Sequence, residues 1–270
     1  MLLAVSDLDR LALRLATVQR HQRVTLTLPL STLADRWHQR IAQRSPVQYV
    51  IGKAPWRDFE LVVSGDVLIP RPETEELIDL VLQVTLDRPS LRQGSWADIG
   101  TGSGAIALGL AQALPDAMIY AVDYSPKALA VAQQNAQQYQ LSPRIQFYQG
   151  SWFEPLQQLK GQREGQHEGQ LSGMVSNPPY IPSAMVPSLA SEVQHDPLLA
   201  LDGGADGLDA IRQLVTQAPA YLGSGGLWLI ETMIGQTDAV GDLLAQGPYR
   251  DIQVFEDLSG IARFVLAYRR

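Results

Sequence analysis

Within this 270-residue chain, Asn177-Pro178-Pro179-Tyr180 combines residue types able to grip a planar nitrogen group. The asparagine amide offers one acceptor and two donors, and the tyrosine offers a flat aromatic face beside it. The prolines fix φ and remove backbone donors, so the asparagine stands in front of a stiff backbone. The apolar run Met174-Val175-Ser176 precedes it and reads as a buried strand that stops at the rim of a sheet, with Asn177 at its tip. Such a site suits an amide or a nucleobase amine. A proline-rich loop after a strand would give the same four letters, so the weight of the motif depends on the rest of the chain.

A second constellation lies upstream. Trp96-Ala97-Asp98-Ile99 reads as a short buried strand that runs into Gly100-Thr101-Gly102-Ser103-Gly104, and Ala105 to Ala111 continues as a helix. Glycines let a backbone approach a ligand closely, and a helix N-terminus presents free N–H groups. The spacing is G-x-G-x-G, which differs from the G-x-G-x-x-G of dinucleotide sites. The next strand, Met118 to Val122, ends in Asp123, nineteen residues after Gly104. A carboxylate there can accept hydrogen bonds from both hydroxyls of a ribose. Loop and acid together indicate an adenosyl-type ligand in a crevice at the C-terminal edge of a parallel sheet. A third strand, Ile145 to Gly150, delivers Ser151 and Trp152 to the same rim, where the indole can wall an adenine ring or simply cap the core.

These residues need elements to position them. Leu8, Leu11, Leu15 and Val18 recur at helical spacing, predicting a helix over 6–20 with Ser6 as cap; a second is predicted over 32–44, capped by Ser31, with Leu33, Trp37 and Ile41 on one face. Gln48 to Ile51 and Phe59 to Val63 read as the β-runs of a hairpin bridging this front piece to the body. Pro72 and the acids Glu73, Glu75 and Glu76 open a helix carrying Leu77, Ile78, Val81 and Leu82, and the acids complement its dipole. Ser125-Pro126 starts a helix with Leu129, Val131 and Ala132 inward. Residues 161–170 form a polar low-complexity loop. Gly207 to Val215 is amphipathic, Gly225 to Glu231 is a turn and a buried strand, and 252–255 with 262–268 form a terminal strand pair.

Composition sets the limits. At 46% hydrophobic and 18% charged, the chain can build one full core and a smaller appendage. No apolar run is long enough to span a bilayer, and the start lacks the layout of a signal peptide. There is no cysteine for a disulfide or thiolate site, and the four histidines have no ligand spacing. A cytoplasmic, metal-independent protein is expected. Residues 1–57 hold nine Lys/Arg against three acids, a net of +6, which leaves −13 for the remainder of a chain at −7. A basic front on an acidic body suits an acidic partner, and equally an ordinary solvated helix face.

Asp98 to Gly104, Asp123 and Asn177 to Tyr180, in that order on an α/β pattern, resemble the class I S-adenosylmethionine-dependent methyltransferases that act on planar nitrogens. Within these, the chain resembles the release factor glutamine methyltransferases. The added matches are Val67-Leu68-Ile69-Pro70-Arg71-Pro72-Glu73-Thr74-Glu75, Tyr49-x-x-Gly52, Glu192-Val193 with Asp196-Pro197, Gly203 to Gly207, and Asp257-Leu258-Ser259-Gly260 with Arg263. The resemblance covers roughly residues 46–270. It implies a Rossmann-like, seven-stranded, mostly parallel sheet with helices on both faces and an antiparallel final strand. It divides the chain into a helical docking domain over 1–47, a β-hairpin connector over 48–71 and a catalytic domain over 72–270. Three departures stand out. The front piece is shorter than usual in the family, Ser151 replaces a frequent acid, and Glu231 to Gln236 lacks an early glycine.

The resemblance further implies that S-adenosyl-L-methionine is held by Asp98, Gly100, Thr101, Gly102, Ser103, Gly104, Asp123, Trp152 and Asn177. The substrate would be the glutamine of the GGQ motif of class I peptide chain release factors, with no membrane and no direct nucleic-acid binding. Asn177, Pro178, Pro179 and Tyr180 would bind it, and Asn177, Pro178 and Tyr180 would serve the chemistry. The competing class, adenine-N6 methylation of DNA, uses the same tetrapeptide on a flipped base but needs a basic track that the −13 body lacks. An NAD-dependent oxidoreductase leaves the tetrapeptide unexplained and mismatches the loop spacing. A non-catalytic binding protein would keep the fold without needing loop, acid and tetrapeptide together.

Overall fold

Five runs of consecutive apolar residues become strands buried on both faces, and two runs of mixed burial become the strands at the sheet's edges. That division is the physical mark of a sheet with helices on both sides. The computed structural model describes residues 5–8, 11, 23–159 and 170–270. In chain order the helices are α1 (Leu30–Gln43), α2 (Val47–Ile51), α3 (Glu76–Asp87), α4 (Ala105–Ala113), α5 (Pro126–Gln138), α6 (Leu198–Leu201), α7 (Asp209–Gln217) and α8 (Thr237–Ala245). The strands are β1 (Lys53–Trp56), β2 (Phe59–Val62), β3 (Gly94–Ile99), β4 (Ala117–Asp123), β5 (Ile145–Gln149), β6 (Leu171–Ser176), β7 (Leu222–Glu231), β8 (Tyr249–Glu256) and β9 (Ala262–Arg269).

Seven of these form one sheet in the order β5-β4-β3-β6-β7-β9-β8, and β1 and β2 form a separate antiparallel pair. From β5 to β7 neighbouring strands run parallel, and β9 is antiparallel to both β7 and β8. The chain winds outward from β3 to β5, then returns to start β6 on the other side of β3. The carboxyl ends of β3, β4 and β6 therefore meet at a topological switch point, where open α/β sheets bind ligands. The Rossmann-like class I methyltransferase sheet is the architecture of this chain.

Side chains of α3 and α4 with Trp96 fill one core, and those of α7 and α8 with Trp228 and Tyr249 fill the other. The hairpin joins the first core through Trp56, Phe59 and Leu61. Fully buried Asn135 on α5 locks it there: its Oδ1 accepts from Val62 N–H at 2.7 Å, and its Nδ2 donates to Val62 C=O at 3.0 Å and Ser103 C=O at 2.8 Å. One side chain thus ties the hairpin to the glycine loop.

Three local expectations are corrected. Gln48 to Ile51 is helical, and the hairpin's first strand is Lys53–Trp56. Pro46 sets the entry to that short helix and Gly52, at φ 75°, ends it, so punctuation outweighed β-propensity. Helix α1 starts at Leu30 with Pro29 before it, placing Ser31 inside the first turn instead of at the cap. Of its expected apolar face only Leu33 is buried; Trp37 and Ile41 are 48% and 61% exposed. The helix meets the body through an Arg40–Glu192 ion pair at 3.2 Å and a 2.8 Å bond between His195 Nε2 and Gln43 C=O. Most of the helix expected over 6–20 lies outside the described residues. At its start Ser6 bridges to Leu26 in antiparallel fashion, and its Oγ accepts from Leu8 N–H at 3.4 Å. The polar loop expected over 161–170 lies outside them too, except Gln170.

Candidate active site

The loop after β3 is a turn built on three glycines with positive φ: 83° at Gly100, 53° at Gly102 and 84° at Gly104. At Gly104 a side chain is also barred by space, since a Cβ would lie 3.0 Å from Ala132 Cβ and 3.1 Å from Leu108 Cδ1. This close approach seats the start of α4 against α5. The N–H groups of Gly100 and Thr101 both donate to Val122 C=O at 2.9 Å, stitching the loop to β4.

Asp98 lies beneath the loop, fully buried and off the cavity wall. Its Oδ2 accepts from Thr101 Oγ1 at 2.6 Å and from Ala107 N–H at 3.0 Å, while Oδ1 is buried without a partner. Burial raises its pKa to about 7 and nearby Asp123 adds to the rise, against the two hydrogen bonds. Asp123 ends β4, as expected. Its Oδ2 accepts from Gly102 N–H and its Oδ1 from Ser125 N–H, both at 2.8 Å. Ser125 in turn caps α5 by accepting from Ala128 N–H at 3.2 Å. Desolvation raises the Asp123 carboxyl above the ordinary carboxylate range in spite of these donors. Loop and acid, read from sequence as separate features, hold each other in place.

Above them opens a cavity of about 620 Å³. Gly100 to Ser103, Asp123, Ser151, Trp152, Asn177 and Pro179 line it, with Val67, Leu68, Pro70 and Thr74 from the segment after the hairpin. Trp152 adopts a left-handed φ of 48°, which costs on the order of 1 kcal/mol. Its ring edge reaches over the loop, 3.9 Å from where a Gly100 Cβ would lie. Gly104, Pro178 and Tyr180 are not on this wall. A glycine cradle with room above it, a pinned strand-end carboxylate and an indole flank fit an adenosyl ligand. Among the described residues no His, Cys, Asp and Glu cluster could hold a metal ion.

Asn177 follows β6 at the switch point and also borders a smaller cavity of about 150 Å³ with Leu68, Arg71, Tyr180 and Val193. It therefore stands between the large cavity and a second recess. Its Nδ2 donates to Thr74 Oγ1 at 3.2 Å, Thr74 donates to Glu231 Oε2 at 2.7 Å, and the Tyr180 hydroxyl donates to Glu231 Oε1 at 3.2 Å. Burial raises the Glu231 carboxyl to about 7. The backbone after the tetrapeptide is clamped as well. Gln236 Nε2 donates to Tyr180 C=O at 2.9 Å, and Ile181 N–H donates to Leu201 C=O at 2.9 Å. Gly203 and Gly207 allow this closeness, because a Cβ would sit 2.8 Å from Pro179 O at the first and 2.2 Å from Tyr180 O at the second. Behind Arg71, which lines the recess, buried Asp196 is held by Tyr49 and by an ion pair with Arg71, yet desolvation still raises its carboxyl.

Sequence reasoning brought together the loop, Asp123, Trp152 and the tetrapeptide, and the structure gathers them at one sheet edge. It assigned no role in the site to Thr74, Glu231 or Gln236. A cue existed for Glu231: an acid at the end of an apolar strand is the signal that singled out Asp123.

The comparisons with known proteins agree with this geometry. A family model described as "Methyltransferase domain" matches residues 93–165, the stretch that carries the glycine loop and Asp123. A release factor glutamine methyltransferase of Synechocystis sp. is 50% identical over 265 residues, spanning 97% of this chain and 86% of the relative. Those of Thermosynechococcus vestitus and Gloeobacter violaceus are 51% and 43% identical, covering 91% and 98% of this chain and 81% and 87% of theirs. Among solved structures, the hMettl16 catalytic domain in complex with MAT2A 3'UTR hairpin 6 shares the fold. Its TM-score is 0.58 at 15% identity over 93% of this chain and 86% of that one. Identity of this level along nearly the whole chain makes it a member of the release factor glutamine methyltransferase family, an enzyme whose methyl donor is S-adenosyl-L-methionine.

Proposed function

We propose that this enzyme methylates the side-chain amide nitrogen of the glutamine in the GGQ motif of class I peptide chain release factors. The observation that carries the reading is the Asn177 amide. Its NH2 end faces Thr74, donating one N–H there, so its oxygen is left for a ligand at the boundary between the two cavities. Gly100 to Ser103, Asp123 and Trp152 would hold the cofactor, with Asp98 and Gly104 shaping the loop from beneath. When bound, S-adenosyl-L-methionine supplies an activated methyl group on a sulfonium.

The protein's task is then orientation and charge. An amide nitrogen is a poor nucleophile because its lone pair is delocalised into the carbonyl. Asn177 Oδ1 and the Pro178 carbonyl each accept one N–H of the substrate amide, turning the nitrogen for attack and stabilising the positive charge that develops on it. With the cofactor bound, its methyl group would pass to the nitrogen as the sulfonium S–C bond gave way, and the alkylated nitrogen would release a proton to water without a strong base. Pro179 keeps the backbone stiff, and Tyr180, its hydroxyl tied to Glu231, packs beside the amide plane.

Residues 1–47 dock the release factor, 48–71 connect and 72–270 catalyse. The net charge of −13 after residue 57 argues against a nucleic-acid track. No helix among the described residues is long and apolar enough to cross a membrane, and modification of a translation factor fits a cytoplasmic location. The test offers labelled S-adenosyl-L-methionine with a class I release factor and duplex DNA in parallel, followed by mass spectrometry. Label on the glutamine of the Gly-Gly-Gln loop is expected. Label on DNA adenine, or on neither, overturns the proposal.

A further inference from the structure

Strands β6 and β7 pair in parallel with Ser176 opposite Ile230, so Asn177 and Glu231 leave the sheet side by side. Glu231 is 1% exposed, and among the described residues no Lys or Arg forms an ion pair with it. Arg263 on β9, whose charge acts on Glu231, is committed to Asp257 at 2.6 Å, and Glu73 ahead of α3 adds a like charge. What faces the carboxylate directly is two hydroxyls, those of Thr74 and Tyr180. A carboxylate only accepts, and each hydroxyl has one proton to give. Thr74 therefore spends its proton on Glu231 and offers Asn177 a lone pair alone. The end of the Asn177 amide that meets Thr74 must then be its NH2.

We propose that Glu231 is a positioning residue that acts through Thr74 to fix which end of the Asn177 amide faces the methyl acceptor. Without an acceptor at position 231 the Thr74 proton is free to turn toward Asn177. The amide can then rotate and set its NH2 against the NH2 of the substrate, donor against donor. The inference rests on the reading of Asn177 given above.

Glu231→Met keeps the length of the side chain, removes both acceptor oxygens and leaves no unpaired charge in the core. Assayed at pH 8.5, where Glu231 is ionised, it is expected to lower kcat about 10- to 100-fold while KM for S-adenosyl-L-methionine stays within about threefold. Thr74→Val should reproduce that split. Glu231→Gln, whose amide oxygen can still accept from Thr74, and Thr74→Ser should each recover most of kcat. In an Asn177→Ala background neither Glu231→Met nor Thr74→Val should cost anything further. Wild-type kcat in Glu231→Met or in Thr74→Val overturns the relay, and so do losses that multiply on top of Asn177→Ala. If Glu231→Met does not fold, the Thr74→Val and Thr74→Ser pair decides alone. Failure of the underlying reading shows separately, as full turnover in Asn177→Ala by itself.

Discussion

Asp98→Asn is the substitution whose consequence follows most directly from geometry. The wild-type carboxyl is sealed under the loop with Oδ2 satisfied by Thr101 and Ala107, and with Oδ1 bare. An asparagine can place its oxygen where Oδ2 was and keep both bonds, leaving its NH2 at the bare position. Burial lifts the native carboxyl from 3.8 to about 7. At pH 8 the ionised group therefore weakens the ligand-free protein by on the order of 4 kcal/mol. The unpartnered NH2 of the variant costs about 1–3 kcal/mol in return. Asp98→Asn should thus be more stable than wild type at pH 8 by about 1–3 kcal/mol.

The pH dependence is the sharper test. Between 3.8 and about 7, native Asp98 carries a proton that the unfolded chain has lost, so wild-type stability falls as pH rises through that window. Asparagine does not titrate. The advantage of the variant should grow by about 1.4 kcal/mol per pH unit, or about 2 kcal/mol from pH 5.0 to 6.5, and level off above neutrality. Glu231 and Asp196 titrate in both proteins and cancel in the difference. Urea unfolding of the ligand-free proteins at half-unit pH steps measures it. Two curves that stay parallel within about 0.5 kcal/mol across the window would refute the buried-carboxylate reasoning.

Asn177→Ala should reduce kcat for release factor methylation by about 100- to 1000-fold with cofactor affinity nearly unchanged, read by single-turnover transfer and calorimetry. Asp123→Ala removes the acceptor of the Gly102 and Ser125 N–H groups and the expected ribose partner. Cofactor Kd should weaken by about 10- to 100-fold, as titration calorimetry would measure. Gly207→Ala drives a Cβ to within 2.2 Å of Tyr180 O at a φ of 79°. It should destabilise the protein by about 2–4 kcal/mol in thermal unfolding, and a restored Tm with lost kcat would place the damage in the tetrapeptide instead.

Much of the molecule can be read from residue order, for reasons visible in particular elements. Strands β3, β4, β6 and β7 are consecutive apolar runs because both sheet faces are covered, and Ser125-Pro126 caps α5 where the pattern places it. Gly52 and Pro46 show the opposite case. The five residues between them, Val47 to Ile51, include strand formers, and only their flanking punctuation and packing make them a helix. Trp37 and Ile41 have helical spacing, but spacing carries no information on whether a partner element arrives to bury them.

Residue type and spacing alone establish the chemistry on offer: a glycine loop, an acid at a strand tip and an amide held by prolines, each a local feature of the chain. How the amide is aimed is a product of the folded arrangement. Thr74 and Glu231 lie 103 and 54 residues from Asn177, and only the parallel pairing of β6 with β7 and the turn before α3 bring them into one hydrogen-bonded line. The direction of a proton on Thr74 depends on that encounter, and no local pattern records it.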